Sequence, residues 1–116
     1  KPYSEGVGDR DSLHLSDEDL KLLKKVKNSN LPHVVILISG RPMIIKEVID
    51  DSDAFIAAWL PGTEGSGISD VMFGDFDFTG RLSMTWPKSM KQIPINYGDN
   101  NYDPLFQFGF GLSYNK

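Results

Sequence analysis

Ala54-Phe55-Ile56-Ala57-Ala58-Trp59-Leu60-Pro61-Gly62-Thr63-Glu64-Gly65-Ser66-Gly67 is the stretch that decides the fold. Seven apolar residues run uncharged into Pro61, and three glycines follow within six positions. A run this short, stopped by a Pro-Gly break, reads as a strand buried on both faces. Such a strand needs helices above and below it, so it belongs in the middle of an α/β sheet. The loop beyond lies at the strand's carboxyl end, the side on which open α/β sheets carry ligands. Gly62, Gly65 and Gly67 are expected to supply turn geometry and close packing between loop and helix. A phosphate cradle is the competing reading. Neither G-x-G-x-x-G nor G-x-x-x-x-G-K-[ST] can be laid on these residues, and Glu64 would repel a phosphate.

Working outward, Ser66 to Phe73 reads as a helix. On the other side, Val34-Val35-Ile36-Leu37-Ile38 is wholly apolar and largely β-branched, a second buried strand. Ser39-Gly40-Arg41-Pro42 breaks it. Met43-Ile44-Ile45 forms a short strand or leads directly into a helical turn through Ile49, and Asp50 to Asp53 is a turn. Upstream, Ser16 is a good N-cap, followed by Asp17, Glu18 and Asp19, where the helix dipole favours acids. Leu20, Leu23 and Val26 recur at helical spacing, with Leu22 beside them, and Asn28-Ser29-Asn30 ends the helix. Lys1 to Leu15 is loop-like.

Downstream, Arg81 to Trp86 is a third strand candidate, stopped by Pro87. The segment from Lys88 onward is irregular but carries Tyr97, Tyr102, Phe106, Phe108, Phe110 and Tyr114. A tail that aromatic is expected to wrap back over the sheet rather than stay disordered. The order predicts an α/β fold with a mostly parallel sheet flanked by helices. Three main strands make a thin sheet, and both buried strands want neighbours, so further strands are expected from elsewhere.

The 116 residues allow one domain at most, and a composition 40% hydrophobic and 24% charged is that of a soluble globular protein. A net charge of −4 leaves no basic footprint for nucleic acid. No apolar run approaches the roughly 20 residues that span a bilayer. The chain has no cysteine and two histidines, which excludes disulfides, thiolate metal sites and a His-rich cluster. It begins at Lys1, not Met, which fits a piece of a longer protein.

Several blocks together resemble the second domain of glycoside hydrolase family 3, nearest its exo-β-glucanase and β-glucosidase branch. They are Ser39-Gly40-Arg41-Pro42, Trp59 to Gly65, Phe73-Gly74-Asp75, Thr79-Gly80-Arg81-Leu82, Tyr102 to Phe106 and Phe108 to Tyr114. They follow the family's order and cover nearly the whole chain. The resemblance implies a (β/α)8-like barrel followed by a six-stranded α/β sandwich. Residues 1–116 correspond to the later part of that sandwich, with the catalytic barrel outside this chain.

Retaining glycoside hydrolysis needs two carboxyl groups about 5 Å apart, one a nucleophile and one an acid/base. By resemblance the nucleophile is a barrel aspartate. Pro2-Tyr3-Ser4-Glu5 with Gly8-Asp9 looks like the loop that carries the acid/base glutamate, and Glu5 falls on that position. Its neighbours are small or uncharged, which would let an enclosed carboxyl keep a raised pKa. Composition alone makes Glu5 a solvated acid on a terminal loop; the motif reverses that in favour of catalysis. Tyr3, Asp9 and Trp86 are candidate substrate contacts. Asp9 binds a sugar hydroxyl or holds the Glu5 loop.

Glu64 is a rival carboxylate, or instead caps the next helix or pairs with Arg41 or Arg81. Asp75, Asp77, Asp99 and Asp103 have oxygen ligands for a cation but match no EF-hand spacing, and read as scattered surface acids. Trp59 reads as core. His14 and His33 have no hydroxyl or thiol partner nearby in sequence to suggest a nucleophile pair. No metal or cofactor is implied.

The reading is thus part of a retaining, exo-acting β-glucosidase or β-glucan glucohydrolase. Its partners are a β-glucan or β-glucoside and the barrel of the same enzyme, with no nucleic acid and no membrane. Secretion or a periplasmic location follows by resemblance. The alternative is a non-catalytic sugar-binding or structural module, and the isolated chain is expected to be inactive on either reading.

Overall fold

The computed structural model describes residue 6 and residues 9–114. The chain runs through α1 (Asp17–Asn28), β1 (Val34–Leu37), α2 (Lys46–Asp50), β2 (Ala54–Ala57) and α3 (Gly65–Met72), then a short 3-10 turn at Met90–Gln92. The start of α1 follows from its sequence. The Ser16 hydroxyl accepts the Asp19 N–H, and three acids fill the first turn. Leu23 and Val26 are half-buried, whereas Leu20 and Leu22 stay exposed.

β1 and β2 are parallel and in register, with Val34 opposite Ala54 and Leu37 opposite Ala57. The connection between them contains Met43, the Ile44 bridge to His14, and α2. The core is built there. Met43, Ile45, Val48 and Trp86 are buried, and Val35, Leu37, Phe55 and Ala57 of the strands pack on them. Leu23 of α1 and Leu105 and Phe106 of the tail close the same cluster. The tail therefore does wrap back, as its aromatic content suggests.

Two expectations about the sheet are corrected. The strands are not buried on both faces: Val34, Ile36 and Ile38 alternate outward and remain exposed, Ile38 by 51%. Among the described residues the sheet has two strands, and within this chain only one of its faces is covered. Arg81 to Trp86 is also not a strand. It meets the tail at two places, through Leu82 N–H to Phe110 O and Trp86 N–H to Phe106 O, with a single antiparallel bridge at Trp86–Phe106. The ladder breaks because the tail turns at Phe108-Gly109, where Gly109 has φ +80°.

Candidate functional site

The carboxyl ends of β1 and β2 are tied together just beyond the sheet. The Ser39 N–H donates to the Trp59 carbonyl at 3.1 Å, and the buried Ser39 hydroxyl donates to the Arg41 carbonyl at 2.8 Å. Trp59 has φ +54°, a left-handed backbone rare for a bulky residue and costing about 1–3 kcal/mol. The Trp59 indole lies against that of Trp86, with ring centroids 5.7 Å apart. Trp86 in turn donates its Nε1–H to the Met43 carbonyl at 2.8 Å. Residues 39–43 are thus held from β2 and from the core at once. Sequence reasoning places Trp59 in the core but carries no signal for its handedness.

Beside this loop is a cleft of about 460 Å³, lined by Leu37, Ser39, Gly40 and Arg41 on one side and by Arg10, Leu15 and Ser16 on the other. The cleft lies at the carboxyl end of β1, where a parallel sheet of this kind carries ligands. Arg41, with a side chain 21% exposed, places Nη2 3.8 Å from Asp9 Oδ1. The Asp9 N–H also donates to the Gly6 carbonyl at 3.0 Å. Asp9 is therefore held by Arg41, a residue of the cleft wall, in a partnership for which the sequence offers Glu64 as the candidate.

Tyr3 and Glu5 lie outside the described residues. Trp86, expected as a sugar contact, is only 2% exposed and has its indole N–H committed to Met43. Its rings face the core, so it offers no stacking surface; this corrects the expectation. Glu64 stands exposed at the start of α3, makes no side-chain cap bond, and accepts from the Thr63 hydroxyl at 3.2 Å. Gly62 does supply turn geometry, with φ +60° after Pro61. Gly65 and Gly67 show no close packing: among the described residues nothing lies within 4 Å of where their Cβ would stand.

The four aspartates go to separate tasks. Asp77 accepts the Tyr114 N–H, Asp99 accepts the Asn96 N–H, Asp103 pairs with Lys88, and Asp75 donates its N–H to the Asp70 carbonyl. Among the described residues no group of three His, Asp or Glu side chains converges on a point. His14 touches the Ser12 hydroxyl at 3.1 Å on an exposed loop, which corrects the expectation that no hydroxyl lies near it in sequence, and His33 contacts Asp53 and the Leu31 carbonyl. The described residues thus present two arginines, Arg10 and Arg41, and the Asp19 carboxylate at an open cleft, with Asp9 tied to Arg41 beside it.

Comparison with known proteins gives this geometry its context. Residues 2–114 match the model of the glycosyl hydrolase family 3 C-terminal domain. Among solved structures, the exo-1,3/1,4-β-glucanase from a Pseudoalteromonas species is 46% identical with a TM-score of 0.90, over 100% of this chain and 16% of that one. A β-glucosidase from Listeria innocua is 32% identical with a TM-score of 0.84, over 92% of this chain and 18% of that one. The periplasmic β-glucosidase of Salmonella typhimurium is 31% identical over 90% of the chain and 17% of its own length. A β-xylosidase of Formosa agariphila is 33% identical over 98% of the chain and 18% of its own length. The chain therefore spans less than a fifth of each of these relatives.

Proposed function

The chain belongs to glycosyl hydrolase family 3, matching its C-terminal domain, and from that premise we propose that it is the later part of that domain in a retaining, exo-acting β-glucosidase or β-glucan glucohydrolase. The observation that carries the reading is the match to the exo-β-glucanase over the full length of the chain at 46% identity. Among curated relatives the β-xylosidases, at 33% and 35% identity, and the β-glucosidases, at 31% and 34%, stand level, so glucose as the sugar released rests on the exo-β-glucanase match alone. Its small share of every relative supports a longer enzyme whose barrel brings the aspartate nucleophile.

In this reading Glu5 is the acid/base. The nucleophile attacks the anomeric carbon while Glu5 protonates the leaving oxygen; Glu5 then takes a proton from the water that releases the sugar. The Arg41–Asp9 contact supports the assignment by tying the chain four residues downstream of Glu5 to Arg41, a residue of the cleft wall. A periplasmic relative, and the absence among the described residues of any helix long and apolar enough to cross a membrane, are in keeping with a secreted or periplasmic enzyme.

The test is Glu5→Ala in the longer enzyme. Turnover of an aryl β-glucoside should fall by about 10²–10⁴-fold. Azide, a small nucleophile needing no base, should restore part of it as β-glucosyl azide. Unchanged turnover would remove Glu5 from the mechanism, and glucan binding without any hydrolysis by the unaltered enzyme would favour a sugar-binding module.

A further inference from the structure

We propose that Tyr97, Tyr102 and Phe108 form a stacking ledge for a β-linked glucan strand, a site that rests on the reading of the enzyme as one acting on β-glucan. The loop that carries Tyr97 is closed on itself. The Asn96 N–H donates to Asp99 Oδ2 at 2.7 Å, and the Asp99 N–H donates back to the Asn96 carbonyl at 3.1 Å. Gly98, with φ +95°, supplies the left-handed step between them. Tyr97 is thereby presented at the turn, 73% exposed, and Phe108 beside it is 52% exposed.

These rings are exposed but not loose. Tyr97 meets Tyr102 edge-on, with centroids 5.8 Å apart at 87°, and Phe108 at 6.1 Å and 44°. Tyr102 is pinned beneath: its hydroxyl bonds Thr85 Oγ1 at 2.9 Å and accepts the Phe108 N–H at 3.0 Å. The base of the loop is tied by Lys88 to Asp103 and by Gln92 Nε2 to the Asp103 carbonyl. Rings already fixed in place lose little freedom when a ligand lands on them. An exposed, ordered aromatic group of this kind marks an interaction surface.

The surroundings select the ligand. Asn96, Asn100 and Asn101 are on the same loop and all exposed, each able to donate to and accept from a hydroxyl. The acids Asp99 and Asp103 disfavour an anion, and Lys88 is already paired. A lipid or an apolar peptide would strip water from the amides without replacing their bonds. A β-linked glucose unit fits both requirements. Its hydroxyls are equatorial, so its ring faces are flat arrays of C–H groups that stack on aromatic planes while its rim reaches the amides.

The experiment uses the longer enzyme and the double variant Tyr97→Ala with Phe108→Ala. Retardation in gels containing soluble mixed-linkage β-glucan reads binding, an aryl β-glucoside reads the reaction, and the thermal midpoint reads folding. The expected result is about a tenfold loss of glucan affinity, with turnover of the small glycoside and the midpoint unchanged. Unchanged glucan affinity would overturn the ledge. So would a fall in affinity matched by a fall in the midpoint, because the rings would then be an internal contact with the rest of the enzyme. Glu5→Ala keeps the two ideas apart: it should lose turnover and keep glucan binding, whatever the ledge does.

Discussion

Gly111 crosses Gly80 so closely that a Cβ on Gly111 would stand 2.3 Å from the Gly80 carbonyl oxygen. It would also meet the Arg81 side chain at 2.8 Å. The obstacle is backbone, which cannot swing aside as a side-chain tip can. The crossing brings the tail to residues 79–82, where Leu82 N–H donates to Phe110 O at 2.9 Å and Gly109 N–H to Leu82 O at 2.8 Å. Gly111→Ala should destabilise the protein by about 1–3 kcal/mol. Gly80→Ala, with open space at its Cβ, should stay within about 0.5 kcal/mol. Urea unfolding of the two variants checks the contrast; equal effects would show that the tail has room to shift.

Trp86 is the second place where the tail is fixed. Trp86→Phe keeps an aromatic ring but removes the Nε1–H that satisfies the buried Met43 carbonyl. The unsatisfied acceptor and the lost volume together should cost about 2–4 kcal/mol. The same denaturation measurement reads it. A loss below about 1 kcal/mol would mean that water reaches Met43.

These two sites show what the sequence exposed and what it hid. The start of α1 was legible because Ser16 and the three acids after it act locally, within one turn. The positions of β1 and β2 were legible because Val34–Leu37 and Ala54–Ala57 are uncharged and bounded by breakers. Their burial was not, because it depends on neighbours, and Ile36 and Ile38 face outward here. Arg81 to Trp86 misled for the same reason: a strand there needs a partner, and the tail that meets it turns away at Gly109. At the site, Glu64 drew attention through its loop, while Arg41 found Asp9 instead. That pairing joins residues far apart in number, which no spacing rule reaches.

The Ser16 cap offers a clean local test. Its hydroxyl accepts the Asp19 N–H at 3.1 Å and donates to the Asp19 carboxylate at 2.6 Å. Ser16→Ala should cost about 1 kcal/mol, and Ser16→Gly only a few tenths. The thermal midpoint and far-ultraviolet dichroism report both. Equal losses for the two variants would assign the effect to packing against the cleft.

Lys46 provides a pH-dependent contribution whose sign is fixed by its partner. The hydrogen bond it donates to Asp50, reinforced by that carboxylate's charge, raises the Lys46 pKa above its ordinary 10.5. A raised lysine pKa stabilises the fold fully below the unfolded value and ceases to do so as pH rises through the folded one. Lys46→Met should therefore leave the shape of the stability profile unchanged from about pH 6 to about pH 9. The two profiles should converge only above the usual lysine range. Convergence near neutral pH would assign the effect to another group.

Arg41 and Asp9 allow the proposed catalytic loop to be probed without touching Glu5. Arg41 rises from a segment fixed by Ser39, Trp59 and Met43, whereas Asp9 is 71% exposed and depends on Arg41 and Gly6 for its place. An ion pair this open to water adds at most about 1 kcal/mol to stability. Its larger consequence is where it holds the chain next to Glu5. A displacement of that chain would weaken proton transfer, which demands hydrogen-bond reach, more than it weakens binding. Arg41→Met and Asp9→Asn should each lower kcat on an aryl β-glucoside by about fivefold while KM moves little. The double variant should lose less than the product of the two single losses, because both break the contact they share. Arg41→Lys should recover part of the loss through charge alone. Fully multiplicative losses would show that the two residues act separately, and Asp9 would then be left as a direct contact to a sugar hydroxyl.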